Sequence, residues 1–484
     1  MMDRKRVESA LNVVLGIVIV VFGGIAAKTY YENNYQPKAF EQPEFHASPL
    51  YKLQARVPDA TDPDASEVTV LVTDPTAPEA QVVTENPHGA FDPWLADHFN
   101  APIDLQGEAP QDWTEIEANL SPESCGTCHP QQLAEWQTSW HHLGMGPGMM
   151  GQLVDANDGM VKACQRCHAP NAEQYPRLKG SEKGAAYQDN PEFDADLRVQ
   201  GLTCAGCHVR DWTRYGPETD THAVGSETEG ETADSEWVDP NEGQPHSGFV
   251  AKDAYQEAVF CERCHDFRDG EGKALQEKKL QETYQEWRRT EAAAEGKTCQ
   301  TCHMPDGAHT FKGIHDKEFV QTGFEAVAEL KRLGDKPLEP LEAELTITNV
   351  GAAHRMPSYT TPRIVLIVEQ LDDGGTVIAG TRQQFMVGRE TTLSLSREVY
   401  DTRILPGESR TLMYSAERAE TATGLSARVE VWPDEQYRRN YENWLSTNMY
   451  GDEGSAILEE AQEAATNSRY IAWERSVDLA SQSE

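Results

Sequence analysis

The chain opens with one long apolar run near its N-terminus. Ser9–Ala27 contains no charged residue, and basic residues precede it at positions 4–6. A run of this length can span a bilayer, and basic residues before it keep that end in the cytoplasm. We therefore expect residues 1–7 to be a cytoplasmic stub and residues 8–27 a transmembrane anchor. Ile25–Ala27 also makes a tolerable cleavage site, so a removed signal peptide is the alternative.

The segment that follows has no regular apolar pattern. Residues 28–112 are rich in Pro, Asp and Glu and predict an extended acidic arm with little core. One strand is expected at Val68–Val72, where β-branched residues alternate. His46, His88 and His98 lie in this arm, and for each of them a surface or turn position is the default prediction, ahead of iron ligation.

The last third of the chain shows the alternation typical of strands. Ala343–Val350 alternates, Arg363–Leu371 is almost continuously apolar, and Asp373–Gly375 is a turn signal. Further strands are expected at Thr376–Ala379, Arg410–Ser415 and Ala427–Trp432. Short strands at this spacing predict a small β-sandwich over residues 337–436.

The C-terminal residues 437–484 return to a helical pattern, which is clearest from Ser455 to Ala465. We predict a helical tail with a frayed end.

Composition and charge narrow the possible partners. The chain has 484 residues, a hydrophobic fraction of 38% and a net charge of −38. A length of this order suggests about three domains. The negative charge argues against nucleic acid and favours basic partners, although simple solvation explains it equally well. The acidic stretch Glu218–Glu242 predicts a surface loop.

Five copies of Cys-x-x-Cys-His contain all ten cysteines of the chain. This is the pattern of c-type haem attachment: the two thiols bond to the haem, and the adjoining imidazole reaches the iron as proximal ligand. Zinc knuckles pair their ligands four at a time, which five motifs do not fit. Disulfides would leave the five histidines unexplained. We number the motifs 1 to 5 in chain order: Cys125/Cys128/His129, Cys164/Cys167/His168, Cys204/Cys207/His208, Cys261/Cys264/His265 and Cys299/Cys302/His303.

The motifs therefore predict five covalently bound haem c groups in a domain covering residues 113–325. Their spacing is too irregular for a repeat protein, and each motif is expected on a short helix. The predicted fold class is α+β. It has a haem-packed domain of short helices and loops, a following small β-sandwich, and an N-terminal transmembrane helix.

Ten further histidines could bind the haem irons as second axial, or distal, ligands. His309 and His315 stand in HTFKGIH directly after motif 5, which favours ligation of neighbouring haems. His141 and His142 follow motif 1, and because adjacent helical residues diverge by about 100°, only one of them is expected to reach iron.

Two more candidates lie outside these segments. His354 is on the loop between the first two strands of the predicted β-domain, and its ligation of iron would require this domain to dock on the haems. His246, before motif 4, is preferred to His222. Methionine can also ligate haem iron, but in a Gly-rich loop adaptable packing is the simpler interpretation; the methionines concerned are Met145, Met149 and Met150.

The segment CGTCHPQQLAEWQTSWHH resembles the Cys-x-x-Cys-His and Trp-x-x-Ser-x-His arrangement of multihaem cytochromes c. These proteins are related to the tetrahaem carrier that accepts electrons from hydroxylamine oxidoreductase. CQTCHMPDGAHTFKGIH resembles the closing haem segment of the same family, and ITNVGAAHRMPS with DTRILPGES resembles its members that carry a C-terminal β-sandwich. The resemblance covers residues 113–432. It implies distal ligation by His141 rather than His142, by His309 and His315, and by His354, although Ala353 replaces a glycine frequent in the family.

Two functions are compatible with these features. The first is a membrane-anchored periplasmic electron carrier with mostly bis-histidine haems, which links a quinol-oxidising membrane complex or redox-enzyme donor to a soluble acceptor. The alternative is a reductase or oxidase of a small nitrogen or sulfur compound, which needs one open iron and nearby proton donors. A structural subunit of a larger haem assembly is a third possibility.

Overall fold

The computed structural model describes residues 51–53, 70–72, 93–180, 185–218, 246, 248–267, 278–334 and 336–479. The predicted anchor, His46, His88, His222 and most of the acidic loop lie outside the described residues. Within the described part, no helix combines the length and the apolar character needed to cross a membrane.

The first part of the structure consists of short helices and small sheets. The α-helices up to residue 323 are α1 Pro93–His98, α2 Pro122–Gly126, α3 Pro130–Gln137, α4 Pro147–Gln152, α5 Asp158–His168, α6 Ala195–Val199, α7 Cys204–His208, α8 Val259–His265, α9 Thr283–Trp287, α10 Glu291–Ala294, α11 Cys299–His303 and α12 Lys317–Gly323. Single 3₁₀ turns are His142–Met145, Ala172–Gln174, Asp253–Gln256 and Pro305–Gly307. The short strands are β1 Tyr51–Leu53, β2 Val70–Val72, β3 Arg177–Lys179, β4 Tyr187–Asp189, β5 Val209–Arg210, β6 Thr213–Gly216 and β7 Val250–Ala251.

The second part contains two antiparallel sheets and two longer helices. Its strands are β8 Phe324–Leu333, β9 Pro340–Asn349, β10 Arg363–Leu371, β11 Gln383–Thr391, β12 Glu398–Asp401, β13 Ser409–Glu417, β14 Gly424–Trp432 and β15 Tyr470–Asp478. The strand order is β12-β11-β10-β14-β15 in one sheet and β13-β9-β8 in the other. The helices α13 Glu435–Thr447 and α14 Gly451–Asn467 connect β14 to β15.

One hydrophobic core joins the two sheets. Leu345 and Ile347 from β9 lie in the same buried cluster as Leu366 from β10 and Val429 from β14. Along β9 buried and partly exposed residues alternate, as expected when one face of a strand meets the core. β10 is buried on both faces, which explains its continuous apolar sequence.

The strand predictions are accurate where the sequence alternates or is continuously apolar. The predicted strand over 363–371 coincides with β10, and those near 343, 410 and 427 fall within one to three residues of β9, β13 and β14. The segment Thr376–Ala379 forms only a bridge, from Val377 to Leu371.

Three predicted boundaries need correction. The sheets begin with β8 at Phe324, inside the stretch assigned to the haem domain. The C-terminal tail is not helical throughout, because β15 pairs along the whole of β14. The arm has a core from residue 93 onward: Leu95 is 2% exposed and packs with Val259 and Trp287.

Candidate haem-binding site

Each of the five motifs lies on a short helix or at the end of one. Motifs 3 and 5 coincide with α7 and α11, and motifs 2 and 4 end α5 and α8. Motif 1 begins on α2, and the His129 amide closes a helical turn on the Cys125 carbonyl. Cysteines three apart share a helix face, so both thiols of a motif point the same way. None of the ten, all of which the structure describes, forms a disulfide.

Two of the ten predicted haem-binding cysteines differ from the others in exposure. Cys128 of motif 1 and Cys302 of motif 5 are exposed, whereas the other eight are half-buried. The motifs have the same local sequence form, which predicts equivalent cysteines, but the structure does not enclose these two. Attachment of haem through Cys128 and Cys302 stays a prediction, and it would place these thioether bonds at the protein surface.

Local capping fixes the motif helices. The Asn157 side chain accepts a hydrogen bond from the Met160 amide and starts α5. Thr298 and Thr301 form a reciprocal capping box that starts α11. Such caps satisfy amides at the first turn, where no carbonyl of the helix is available.

Three of the five proximal histidines are oriented by backbone carbonyls. Nδ1 of His168 lies 2.9 Å from the Gly144 oxygen, Nδ1 of His208 2.7 Å from the Tyr215 oxygen, and Nδ1 of His303 2.6 Å from the Lys312 oxygen. When Nδ1–H donates to a carbonyl, the lone pair lies on Nε2. This is the tautomer that a metal-ligating imidazole with an outer hydrogen bond adopts.

Three proximal rings each face a second imidazole. The ring centres are 6.2 Å apart for His265 and His141, 6.3 Å for His208 and His309, and 6.4 Å for His303 and His354. Because a bond from a transition metal to an imidazole nitrogen is about 2 Å long, two imidazoles on opposite sides of one ion have ring centres roughly 6 Å apart. The three pairs therefore fit a bis-histidine iron.

The electrostatics of these rings also suit ligation. Burial lowers the pKa of His141 to about 3 and those of His208, His265 and His354 to about 4. These imidazoles are neutral at pH 7, and only a neutral imidazole binds a metal.

His246 lies near motif 1. Its Nδ1 is 2.8 Å from the Gly248 oxygen, and its amide donates to Glu117 at 2.7 Å. Burial lowers its pKa, and the charges of Arg214 and His129 contribute to the same direction. The carbonyl contact leaves Nε2 available, so distal ligation by His246 stays a prediction with a compatible tautomer.

His315 and His142 have other partners. His315 Nε2 lies 3.0 Å from an Asp434 carboxylate oxygen, and its ring stacks on Trp140 with centres 3.5 Å apart. The structure thus does not bring this predicted ligand to a proximal ring. His142 packs against Trp136 at 4.4 Å, which separates it from His141 as the sequence predicts.

His98, for which the sequence favoured a surface or turn position, is instead buried beside motif 3. It is 3% exposed, its Nε2 lies 2.7 Å from the Cys207 oxygen, and its ring stacks on Trp94. Burial lowers its pKa to about 3. The sequence contains a pattern that predicts this burial, because Trp94, Leu95, His98 and Phe99 recur at helical spacing.

The methionines of the Gly-rich loop pack rather than face a proximal ring. Met145 and Met149 are buried in one small cluster with Ala169, directly after motif 2.

Cysteines of different motifs meet one another. Cys125 of motif 1 lies beside Cys204 of motif 3, and Cys261 of motif 4 beside Cys299 of motif 5. Cys264 of motif 4 lies beside Cys167 of motif 2. The motifs therefore form one contiguous group.

Comparison with known proteins finds similarity to solved structures. No protein-family model and no curated protein matches the chain. Among the solved structures that resemble it is a penta-heme cytochrome c552 from Thermochromatium tepidum, at 18% identity and a TM-score of 0.49. The match covers 75% of this chain and 99% of that one. The assignment of haem rests on the chain's own motifs and on the paired imidazoles.

Proposed function

We propose that this chain is a five-haem c-type cytochrome whose main activity is electron transfer. The observation that carries the proposal is the set of three imidazole pairs at 6.2 to 6.4 Å, each with one member from a Cys-x-x-Cys-His motif. Iron held between two imidazoles has no free position for substrate and can cycle between its ferric and ferrous states. The motif resemblance to relatives of the tetrahaem carrier supports the same function.

Residues of the chain would hold the haems and set their reduction potentials. The motif cysteines tether each group, and the carbonyl contacts of the proximal histidines fix ring orientation and raise ligand basicity. Bis-histidine ligation together with burial holds the potential low relative to histidine–methionine ligation.

The contacts between motifs suggest a branched route for electrons. Motif 1 adjoins motif 3, and motif 4 adjoins motifs 2 and 5 through their cysteines. Cys207 of motif 3 is close enough to contribute to the raised pKa values of Cys261 and Cys264, after the adjacent thiols and burial. We infer that motif 4 is the junction and that motifs 1, 2 and 5 are the ends where partners exchange electrons. The exposure of Cys128 and Cys302 supports this role for motifs 1 and 5.

We also propose a periplasmic location with a retained N-terminal anchor at the inner membrane. The apolar run at 8–27 and the extracytoplasmic attachment of haem c support it. With a net charge of −38, the surface suits donors or acceptors that present a basic face. Association with such partners should weaken as ionic strength rises.

Two measurements test this proposal. The intact mass of protein purified from membranes should exceed the mass of the polypeptide by five haems and should include residues 1–27. Potentiometric titration should return five one-electron equivalents, most of them at low potential. Fewer covalent haems, or zinc in their place, would refute the function, whereas loss of residues 1–27 would refute only the anchor.

A further inference from the structure

The imidazole that faces motif 5 stands on a loop between two strands. The His354 ring lies 6.4 Å from that of His303, and the two ring planes are 13° from parallel. Nδ1 of His354 contacts the Arg355 oxygen at 2.9 Å, which leaves Nε2 available for a metal. The direction of Nε2 therefore depends on where the backbone of Arg355 lies.

One side of this loop is held by the sheet from which it comes. Asn349 ends β9 and is 1% exposed. Its Nδ2 donates to the His354 oxygen at 3.0 Å and to the Ile404 oxygen at 3.1 Å, and its Oδ1 accepts from the Ala352 amide at 3.1 Å. The loop is thus attached to the β-core independently of the haem motifs.

The other side of the loop is held by a carboxylate from helix α9. Glu286 is 69 residues from Arg355 in the chain, and its Oε2 accepts the Arg355 amide at 3.2 Å. Its Oε1 accepts from Arg403 Nη1 at 3.0 Å, and the same Nη1 donates to the Ser358 oxygen at 3.0 Å. Glu286 therefore holds the loop at Arg355 directly and at Ser358 through Arg403.

Helix α9 is in turn fixed to motif 5. The Trp287 indole donates at 2.8 Å to the oxygen of Lys297, shortly before motif 5. Trp287 also lies in a buried cluster against which Cys299 of motif 5 and Ala353 of the loop pack. Motif 5, α9 and the loop form a closed set of contacts, and Glu286 is a polar link within it.

A carboxylate needs a reason at this buried position. The Glu286 side chain is 10% exposed, and a buried carboxylate is unfavourable unless it is paired. Arg403 provides the charge and is itself paired with Asp401 at 2.8 Å. A hydrogen bond from a backbone amide to an ionised acceptor is stronger than one to a neutral acceptor. Since both Glu286 oxygens have partners outside α9, the carboxylate fixes the loop and not its own helix.

We propose that Glu286 is a positioning residue for motif 5: it holds the Arg355 backbone, and with it the His354 imidazole, opposite His303. The inference rests on the proposed bis-histidine ligation and adds a residue that fixes the geometry of one pair. Groups that orient a metal ligand contribute on the order of 10- to 100-fold to metal affinity. Without Glu286 the loop keeps its attachment to Asn349, so His354 should be displaced and bind iron more weakly.

The test uses the full-length protein with its haems, reduced with dithionite and exposed to carbon monoxide, which binds where a distal ligand is absent or weak. His354→Ala should raise the CO-binding fraction by one haem in five over wild type and so defines the signal. Glu286→Ala should raise the fraction towards the same value. In Glu286→Gln one oxygen can still accept the Arg355 amide, so the increase should be smaller than in Glu286→Ala. The double variant of His354→Ala and Glu286→Ala should bind no more CO than His354→Ala alone, because both changes act on one iron.

The matched control is Glu430→Ala. It removes another half-buried carboxylate, which accepts from Arg428 at 2.6 Å and from the Trp432 indole at 3.0 Å within the β-region. Glu430→Ala should leave the CO-binding fraction unchanged, and denaturant unfolding of each variant reports its separate effect on stability. If Glu286→Ala did not fold, Glu286→Gln would carry the same comparison.

The remaining outcomes contradict the inference in different ways. A wild-type CO fraction in both Glu286 variants, together with an increase in His354→Ala, would leave His354 as a ligand but remove Glu286 from its positioning. The same would follow if Glu430→Ala raised the fraction equally, or if the double variant exceeded His354→Ala. An unchanged fraction in His354→Ala would instead refute bis-histidine ligation at motif 5, and the inference with it. The count of covalent haems tests the proposed function separately.

Discussion

Adjacent His141 and His142 allow a sharp test of the distal ligands. The His141 ring lies 6.2 Å from that of His265, whereas the His142 ring lies 4.4 Å from Trp136. His141→Ala should therefore leave the motif 4 iron with one protein ligand and change one haem in five from low spin to high spin. His142→Ala should change no spin state. It should lower the free energy of unfolding by about 1 kcal/mol, the usual value of an aromatic pair.

The two variants should thus differ in both observables. Quantified low-spin and high-spin electron paramagnetic resonance signals report the spin change, and denaturant unfolding reports the stability. In His141→Ala the CO-binding fraction should also increase by one haem in five. The reasoning would be refuted if His142→Ala produced the high-spin signal, or if His141→Ala produced none.

Three further predictions concern stability and the attachment of haem. Leu345→Ala removes a fully buried side chain from the core shared by the two sheets. It should lower the free energy of unfolding by about 2–5 kcal/mol. The control Val350→Ala, at an exposed position, should change the free energy of unfolding by less than about 0.5 kcal/mol. Burial alone would raise the pKa of Glu435, but hydrogen bonds and charge from Arg438 and then Arg469 hold it below its usual range. A carboxyl group whose pKa is lowered by folding stabilises the fold at pH values above its unfolded pKa of about 4.3. The wild-type protein should therefore have a larger free energy of unfolding than Glu435→Gln at neutral pH, and this difference should shrink as the pH falls below about 4. After denaturation and gel filtration all five haems should stay with the polypeptide, since the thioether bonds are covalent; a haem released by unfolding would contradict attachment at its motif.

The sequence defines the candidate chemistry of the site in more detail than it defines the boundaries of the fold. Thiol and imidazole identities and their spacing define haem attachment locally, so all five motifs could be read without a structure. Sequence context indicated His309 and His354, and motif resemblance selected His141 over His142. The structure places these three rings 6.2 to 6.4 Å from proximal rings, and their ligation of iron stays a prediction. Strands such as β10 were predictable because burial on both faces leaves a continuous apolar sequence.

The surroundings of each motif were not predictable from its own residues. Cys128 and Cys302 are exposed while the other eight cysteines are half-buried, although every motif has the same form. The exposure of each cysteine depends on how the motif helices pack, and that packing involves segments far apart in the chain.

Features that depend on distant segments were not predictable in this way. β15 pairs with β14 across two intervening helices, and no local pattern reveals such a partner. His98 resembles a surface histidine until the aromatic ring of Trp94 and the carbonyl of Cys207 surround it. His315 has the sequence context of a ligand, yet Asp434, more than a hundred residues later, provides its observed partner.

The C-terminal region is best understood as part of the haem site and not as an appended domain. Its loop between β9 and β10 provides His354 opposite motif 5, and within five residues also Tyr359 beside motif 2. Helix α13 adds Tyr437, whose side chain interacts with that of Tyr359. His354 and Tyr359 stand on one loop between two strands of the β-core. If the C-terminal region only shielded the haems from solvent, apolar side chains would be sufficient at these positions. The imidazole and phenols found there lie beside motifs 5 and 2, two of the three proposed ends of the electron route.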